Sequence, residues 1–365
     1  MRIVRPEEIM GTDLEDHHRA LQAFAGGGVH WRKDEEELKD WRVSSKVVND
    51  CEEEKKIVCV TSGVSYLGLA IVNKLICHGY SVRTLVDNQE DIEKLREMEI
   101  SGEIRPNNNM VEPVIGNLTE VESLLRAFEG CCGVFHTSAF ADSAGVSGYT
   151  KSIADIEAKV CENVMKASAR TPSVKKCVLT SSLLACLWRD GSRQNLSPVV
   201  DHECWSDESV CLNKKLWLAL GKLKAERAAW SIAMEEGLSL VSICPGLITG
   251  PKFFHENSTA SIAYLKGARE MFSDGLLATV DVNRLAEAHL CVFEATNRRA
   301  VGRFICYDQV IDEEEEAEKL AKQMGLPVNR ICGSEFGNTP LRFHLSNRKL
   351  SNLMSRTLKP CHNES

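Results

Sequence analysis

"KIVCVTSGVSYLGLAIVNKLICHG" (residues 56–79) decides the fold. Its first residues are β-rich and apolar, a small-residue turn follows, and from Leu67 the apolar positions recur at helical spacing until Gly79. Strand, glycine-bearing turn and helix closed by glycine make the opening βα unit of a parallel sheet.

Working outward, the unit repeats. "YSVRTLVD" (80–87), "MVEPVIGNL" (110–118), "CCGVFHTSA" (131–139), "VKKCVLTSS" (174–182) and "LSLVSICPG" (238–246) read as strands. Between them lie helical runs, among them "TEVESLLRAFEG", with Thr119 as its expected cap, "KSIADIEAKVCENVMKASART" and "KLWLALGKLKAERAAW" (215–230). Strands alternating with helices imply a doubly wound, Rossmann-type α/β parallel sheet covered on both faces. Residues 1–54 are polar and read as an extension outside the fold. Residues 55–244 read as the dinucleotide-binding domain. After Pro245 the rhythm breaks, and residues 245–365 read as a smaller C-terminal substrate lobe with elements returning to the sheet.

Composition narrows the function. The chain has 365 residues, 43% hydrophobic and 26% charged, with a net charge of −8, which argues against a nucleic-acid partner. No run approaches the length of a membrane span, and the start does not resemble a signal peptide. The 15 cysteines therefore read as reduced thiols of a cytoplasmic protein, and their spacing offers no metal site.

In a dinucleotide fold the first turn carries glycines that admit the pyrophosphate and pack the helix. In "TSGVSYLG" (61–68) only Gly63 and Gly68 are glycine, and Ser62 and Ser65 stand at the other expected positions. The turn reads either as a nucleotide loop or as an ordinary βα turn, and its place after the first strand favours the former. Asp87, nineteen residues after Gly68, ends the second strand. It reads as the acceptor for an adenosine ribose 2′-hydroxyl, favouring NAD over NADP, or as a turn residue before Asn88; Arg83 is the nearby cation that a 2′-phosphate would want. Leu218, Gly221, Lys222, Ala225, Ala228, Ala229 and Ile232 share one helical face, small and apolar apart from the ammonium. Lys222 either reaches the surface along its methylenes or meets a polar ligand.

The ordered blocks "KIVCVTSGVSYLG", "GVFHTSA", "KKCVLTSS", "LGKLKAERAAW" and "CPGLITGP" resemble the extended short-chain dehydrogenase/reductases. The resemblance runs from about Lys56 to the C-terminus and is to the plant cinnamoyl-CoA reductase and dihydroflavonol reductase branch, in particular its defence-associated cinnamoyl-CoA reductase-like subgroup. It implies an NAD(P)-dependent reductase of a small-molecule carbonyl or thioester of phenylpropanoid type. The family pairs a serine with a Tyr-x-x-x-Lys motif. Ser182 takes the serine position, with Ser181 beside it, and Lys222 the lysine position. The tyrosine position is Leu218, which cannot transfer a proton. The resemblance further implies cofactor contacts at Thr61, Ser62, Gly63, Ser65, Tyr66, Leu67, Gly68, Arg83, Asp87, Asn117, Leu118, Thr137, Ser138, Lys222 and Pro245. Departures accumulate: Asp87 stands for the family's arginine, Asn117 for the aspartate of its "GDL", and Trp217, Gly221 and Lys222 are all that remain of "NWYCYGK". These departures imply slow turnover or, alternatively, a catalytically impaired nucleotide-responsive binding or regulatory protein. Of the remaining tyrosines, Tyr149 or Tyr264 is expected to be within reach of the cleft from a loop, and His136 and His289 read as structural.

Overall fold

Seven short apolar runs pair side by side as one parallel sheet. The computed structural model describes residues 56–104, 110–137, 149–191, 197–251, 258–296, 300–332 and 342–357. In chain order the main elements are β1 (Ile57–Val60), α1 (Tyr66–Cys77), β2 (Ser81–Val86), α2 (Gln89–Ile100), β3 (Val111–Ile115), α3 (Val121–Phe128), β4 (Gly133–Thr137), α4 (Lys151–Arg170), β5 (Lys176–Thr180), α5 (Trp217–Glu236) and β6 (Ser239–Pro245). They are followed by β7 (Leu247–Thr249), β8 (Ala278–Asp281), α6 (Val282–Ala295), β9 (Gly302–Cys306), β10 (Gln309–Val310), α7 (Glu314–Gln323) and α8 (Arg348–Thr357). The large sheet runs β9-β6-β5-β4-β1-β2-β3, with every neighbouring pair parallel. This is the Rossmann-type α/β fold that the βα alternation predicts. A second sheet, β10-β8-β7, comes from the C-terminal third, whose β9 joins the edge of the large sheet.

Alternation along β1 divides the core. Val58 and Val60 pack with Ile71 and Leu75 of α1 and Phe293 of α6 on one face. Cys59 points the other way, among Leu124, Phe128, Val164 and Ala229 of the α3–α4–α5 layer. A third cluster joins Leu216, Leu218 and Leu220 at the start of α5 to Tyr264, Leu265, Met271 and Leu277 of the later segment. Burial of this kind stabilises by roughly 25 cal/mol per Å² of apolar area and fixes α5 at both ends.

The cap of α3 differs from expectation. Its N-cap is Glu120, without a side-chain bond, because the Thr119 hydroxyl and N–H both donate to Asn117 Oδ1 (2.8 and 2.9 Å) in a tight turn. Every cysteine among the described residues is a free thiol, and no helix among them is long and apolar enough to cross a membrane. The N-terminal extension, residues 1–54, lies outside the described residues.

Candidate active site

Strand order reverses between β4 and β2 on either side of β1, so the crevice at the carboxyl ends of these strands is where such a sheet binds a ligand. The 61–68 turn opens into it. Close packing demands both of its glycines: a Cβ on Gly68 would run into the Ser62 carbonyl, and one on Gly63 into the Thr84 side chain. The two serines turn inward. Ser62 Oγ donates to the Thr137 carbonyl at 2.7 Å, and Ser65 Oγ donates to the Ser62 carbonyl at 2.7 Å. Ser65 also caps α1 by accepting the Gly68 N–H at 3.1 Å, which engages one donor at the helix start. Thr61 Oγ1 lies 2.9 Å from His136 Nδ1. Leu67 is buried in the core, leaving its backbone alone for any contact with a ligand. Tyr66 spans the crevice mouth, its hydroxyl donating to the Pro251 carbonyl at 2.6 Å.

On β2 the two charged candidates separate. Asp87 is exposed at the strand end, and the partial loss of solvent there, followed by the Asp91 charge, pushes its pKa up. Arg83 is a correction. Its guanidinium turns to the other side, bonding Glu112 (2.9 Å) and the carbonyls of Ala127 and Glu129 (3.0 and 2.7 Å), and has left the crevice. Asn117 is engaged in its own turn, while the Leu118 carbonyl accepts from Asn163 at 3.4 Å. The Thr137 hydroxyl at the end of β4 is buried with no hydrogen-bond partner. Ser138 lies outside the described residues.

The remaining candidates gather where β5 and β6 end against α5. Pro245 closes β6, its carbonyl accepting the Leu183 N–H at 2.8 Å. Ser182 is buried and its Oγ accepts the Leu184 N–H at 3.2 Å. Ser181 is engaged elsewhere: its hydroxyl donates at 2.6 Å to Glu226 Oε2. Leu218 is 8% exposed, one more side chain of the third apolar cluster. Lys222 neither snorkels out nor stands alone. Its Nζ lies 2.7 Å from Glu157 Oε1, with the two side chains 12% and 3% exposed. The second Glu157 oxygen accepts the Tyr149 hydroxyl. Lys222, Glu157, His136 and Ser181 line one small void beneath the crevice.

His136 Nε2 is buried without a partner, and burial, then the Lys222 charge, push its pKa down to about 4. His289 is structural: its two ring nitrogens meet Thr180 Oγ1 and the Leu285 carbonyl, each at 2.7 Å. Tyr264 is buried beside Leu218 in the same apolar cluster and its hydroxyl has no partner.

Sequence reasoning missed Glu157, Glu226 and Arg303. Glu226 follows Lys222 by one helical turn and is wholly buried, bonded bidentately by Arg303 of β9 (2.8 and 3.1 Å) and by Ser181 and Ser242. Burial alone would raise its pKa; Arg303 and these hydrogen bonds outweigh that and hold it below the ordinary carboxylate range. A lone carboxylate in a helix carries no periodic signal for such a partner.

Residues 59–209 match the model of the 3-beta hydroxysteroid dehydrogenase/isomerase family. The chain is 32% identical to "Cinnamoyl-CoA reductase 1" of Petunia hybrida across 82% of this chain and 86% of that one. It is likewise 32% identical to "Cinnamoyl-CoA reductase 1" of Arabidopsis thaliana, across 82% and 84%. The chain belongs to the extended short-chain dehydrogenase/reductase family, in its cinnamoyl-CoA reductase branch. This family also includes the "Tetraketide alpha-pyrone reductase 1" of Arabidopsis thaliana, 31% identical over 74% of this chain and 82% of the relative. Among solved structures, yeast methylglyoxal/isovaleraldehyde reductase complexed with NADPH shares the fold with a TM-score of 0.61 at 20% identity, covering 82% of this chain and 93% of that one.

The residues present fit a nicotinamide dinucleotide in part. Glycines that a Cβ would crowd, an exposed carboxylate at the end of β2 and the unpartnered Thr137 hydroxyl suit such a ligand, and the cap that Ser65 places on Gly68 N–H does not.

Proposed function

We propose that this member of the family is an NAD(P)-dependent reductase of phenylpropanoid-type carbonyls or thioesters whose turnover is slow. The observation that carries the reading is the α5 face itself: Lys222 lining one void with Ser181 at the end of β5, and a buried leucine one turn before the lysine. The dinucleotide, when bound, supplies the hydride. Backbone groups of the 61–68 turn hold its pyrophosphate, with Ser62, Ser65, Tyr66, Leu67 and Gly68 shaping the approach. Asp87 accepts from the adenosine ribose, and Asn117 and Leu118 border the adenine. Thr137 and Pro245 line the nicotinamide end, Lys222 orients its ribose, and Ser182 holds the substrate oxygen. Segments of 245–365 cover the substrate. Losing a positioned general acid forfeits on the order of 10²–10⁴ in rate, which sets how slow the reaction is.

One observation favours the second reading, a nucleotide-responsive binding or regulatory protein without chemistry: the Lys222 charge is already matched by Glu157. Titration with NADH and NADPH, followed by turnover on hydroxycinnamoyl aldehydes and thioesters, separates the two. Binding with measurable reduction supports the reductase, and binding without it supports the regulatory reading. Failure to bind either dinucleotide overturns both.

A further inference from the structure

Lys222 has a partner that no inspection of α5 alone supplies. Glu157 faces it from α4, and its carboxylate accepts the Tyr149 hydroxyl with the oxygen that Lys222 leaves open. Gly221 is what lets the three close together. A Cβ at that position would stand 2.7 Å from the Tyr149 oxygen and 3.0 Å from Glu157 Oε2.

The charge of this cluster is what matters for chemistry. A bare ammonium lowers the pKa of a neighbouring phenol, whereas an ammonium matched by a carboxylate presents little net charge to it. The titratable groups around Lys222 do not restore the balance. His136 from β4 is held neutral. The Cys161 thiol of α4 is pushed up by burial and by Glu157, and the Glu226 charge is met by Arg303. Nor does Tyr149 replace the missing acid. Its proton is directed at a carboxylate, and burial, followed by that same charge, raises its pKa.

We propose that Glu157 is the second residue that silences this site, acting on Lys222 together with the leucine at position 218. Glu157 is a positioning residue: it acts through Lys222 and fixes what charge the crevice meets. The inference rests on the reading of Lys222 as the family lysine. It predicts that a phenol restored at position 218 is inert while Glu157 remains.

The test compares Leu218→Tyr, Glu157→Gln and the double variant in the full chain. Its first readout needs neither cofactor nor substrate: ultraviolet difference titration of the added phenol against the matching background. In Leu218→Tyr the phenol should titrate near or above its ordinary value of about 10. In the double variant it should fall by about one unit or more, and Lys222→Met should abolish the fall. The second readout is reduction of a hydroxycinnamaldehyde with NADH and with NADPH, where the double variant should exceed Leu218→Tyr by about tenfold or more with the better cofactor, the pH profile moving with the phenol. Equal titration in the single and double variants, or full turnover in Leu218→Tyr alone, overturns the proposal. A shifted phenol without turnover on any carbonyl supports the role of Glu157 and overturns the reductase reading instead. Where Glu157→Gln fails to fold, Glu157→Thr, shorter and neutral, gives the same two readouts.

Discussion

Two ion pairs sit one helical turn apart on α5, and they differ in what else they touch. Glu226 and Arg303 are buried together, and the pair is wrapped by further groups: two serine hydroxyls on the carboxylate, the carbonyls of His202 and Cys204 on the guanidinium, and the Trp205 ring 3.6 Å from it. Lys222 and Glu157 hold each other and Tyr149, and the lysine keeps a path to solvent. The first pair ties α5 to β5, β6 and β9. The second borders the crevice. A charge engaged on every side is architecture, whereas one that keeps an open side is available for a ligand. The same contrast recurs on β2, where Arg83 is engaged and Asp87 is open, and between the histidines, where His289 uses both nitrogens and His136 one.

The largest expected effect breaks the engaged pair. Arg303→Met leaves a wholly buried carboxylate unmatched and should cost about 3–5 kcal/mol in denaturant unfolding. Replacing both members of the open pair, Lys222→Met with Glu157→Gln, removes both charges and keeps an acceptor for Tyr149; the loss should stay within about 1 kcal/mol. Equal losses in the two experiments would dissolve the contrast.

Acid sharpens it next. The folded pKa of each buried histidine is pushed down to about 4 from an ordinary 6.5, so between those values the unfolded chain binds protons that the folded chain does not. Stability is full above pH 6.5 and falls as pH drops towards 4, by up to about 3 kcal/mol for each histidine. Glu226, held below its ordinary value of 4.5, adds a loss only further down, as pH falls through its folded pKa. Stability flat from pH 7 to 5 would show that the histidines charge without cost.

A smaller effect concerns the cofactor. Asp87→Arg should reverse a preference for NADH over NADPH, a contact worth roughly 1.5–3 kcal/mol, measured by titration with both. Arg83→Ala should leave that preference where it is, and a change there would return Arg83 to the site. The smallest effect is at the helix start. Ser65→Gly frees the Gly68 N–H at a stability cost of a few tenths of a kcal/mol, because glycine is a tolerable N-cap, and dinucleotide affinity should rise. Unchanged affinity would mean that the serine cap does not compete with the ligand.

Much of this was legible in the sequence, for a definable reason. Periodicity reports which face of an element is buried, so the succession of β1 to β6 along the chain and the face carrying Leu218 and Lys222 could be read from spacing alone. The partner on the other side of a contact has no such signature. Glu157 lies 65 positions from Lys222 on a different helix, and Arg303 lies 77 from Glu226. Nothing in "LKAERAAW" marks its glutamate as buried. Arg83 misled because proximity in sequence to a strand end says nothing of side: the residue points away from the crevice that Asp87 borders. Thr119 misled because its hydroxyl and N–H both donate to the neighbouring Asn117 side chain in a tight turn, and its oxygen accepts no N–H from the helix start.

The bond from Tyr66 to Pro251 also has a consequence for how the molecule is made. It joins residues 185 positions apart, so the Tyr66 side chain reaches its final place only after the chain through Pro251 has been synthesised. Contacts of such separation form late, since a long loop must close before they return any free energy.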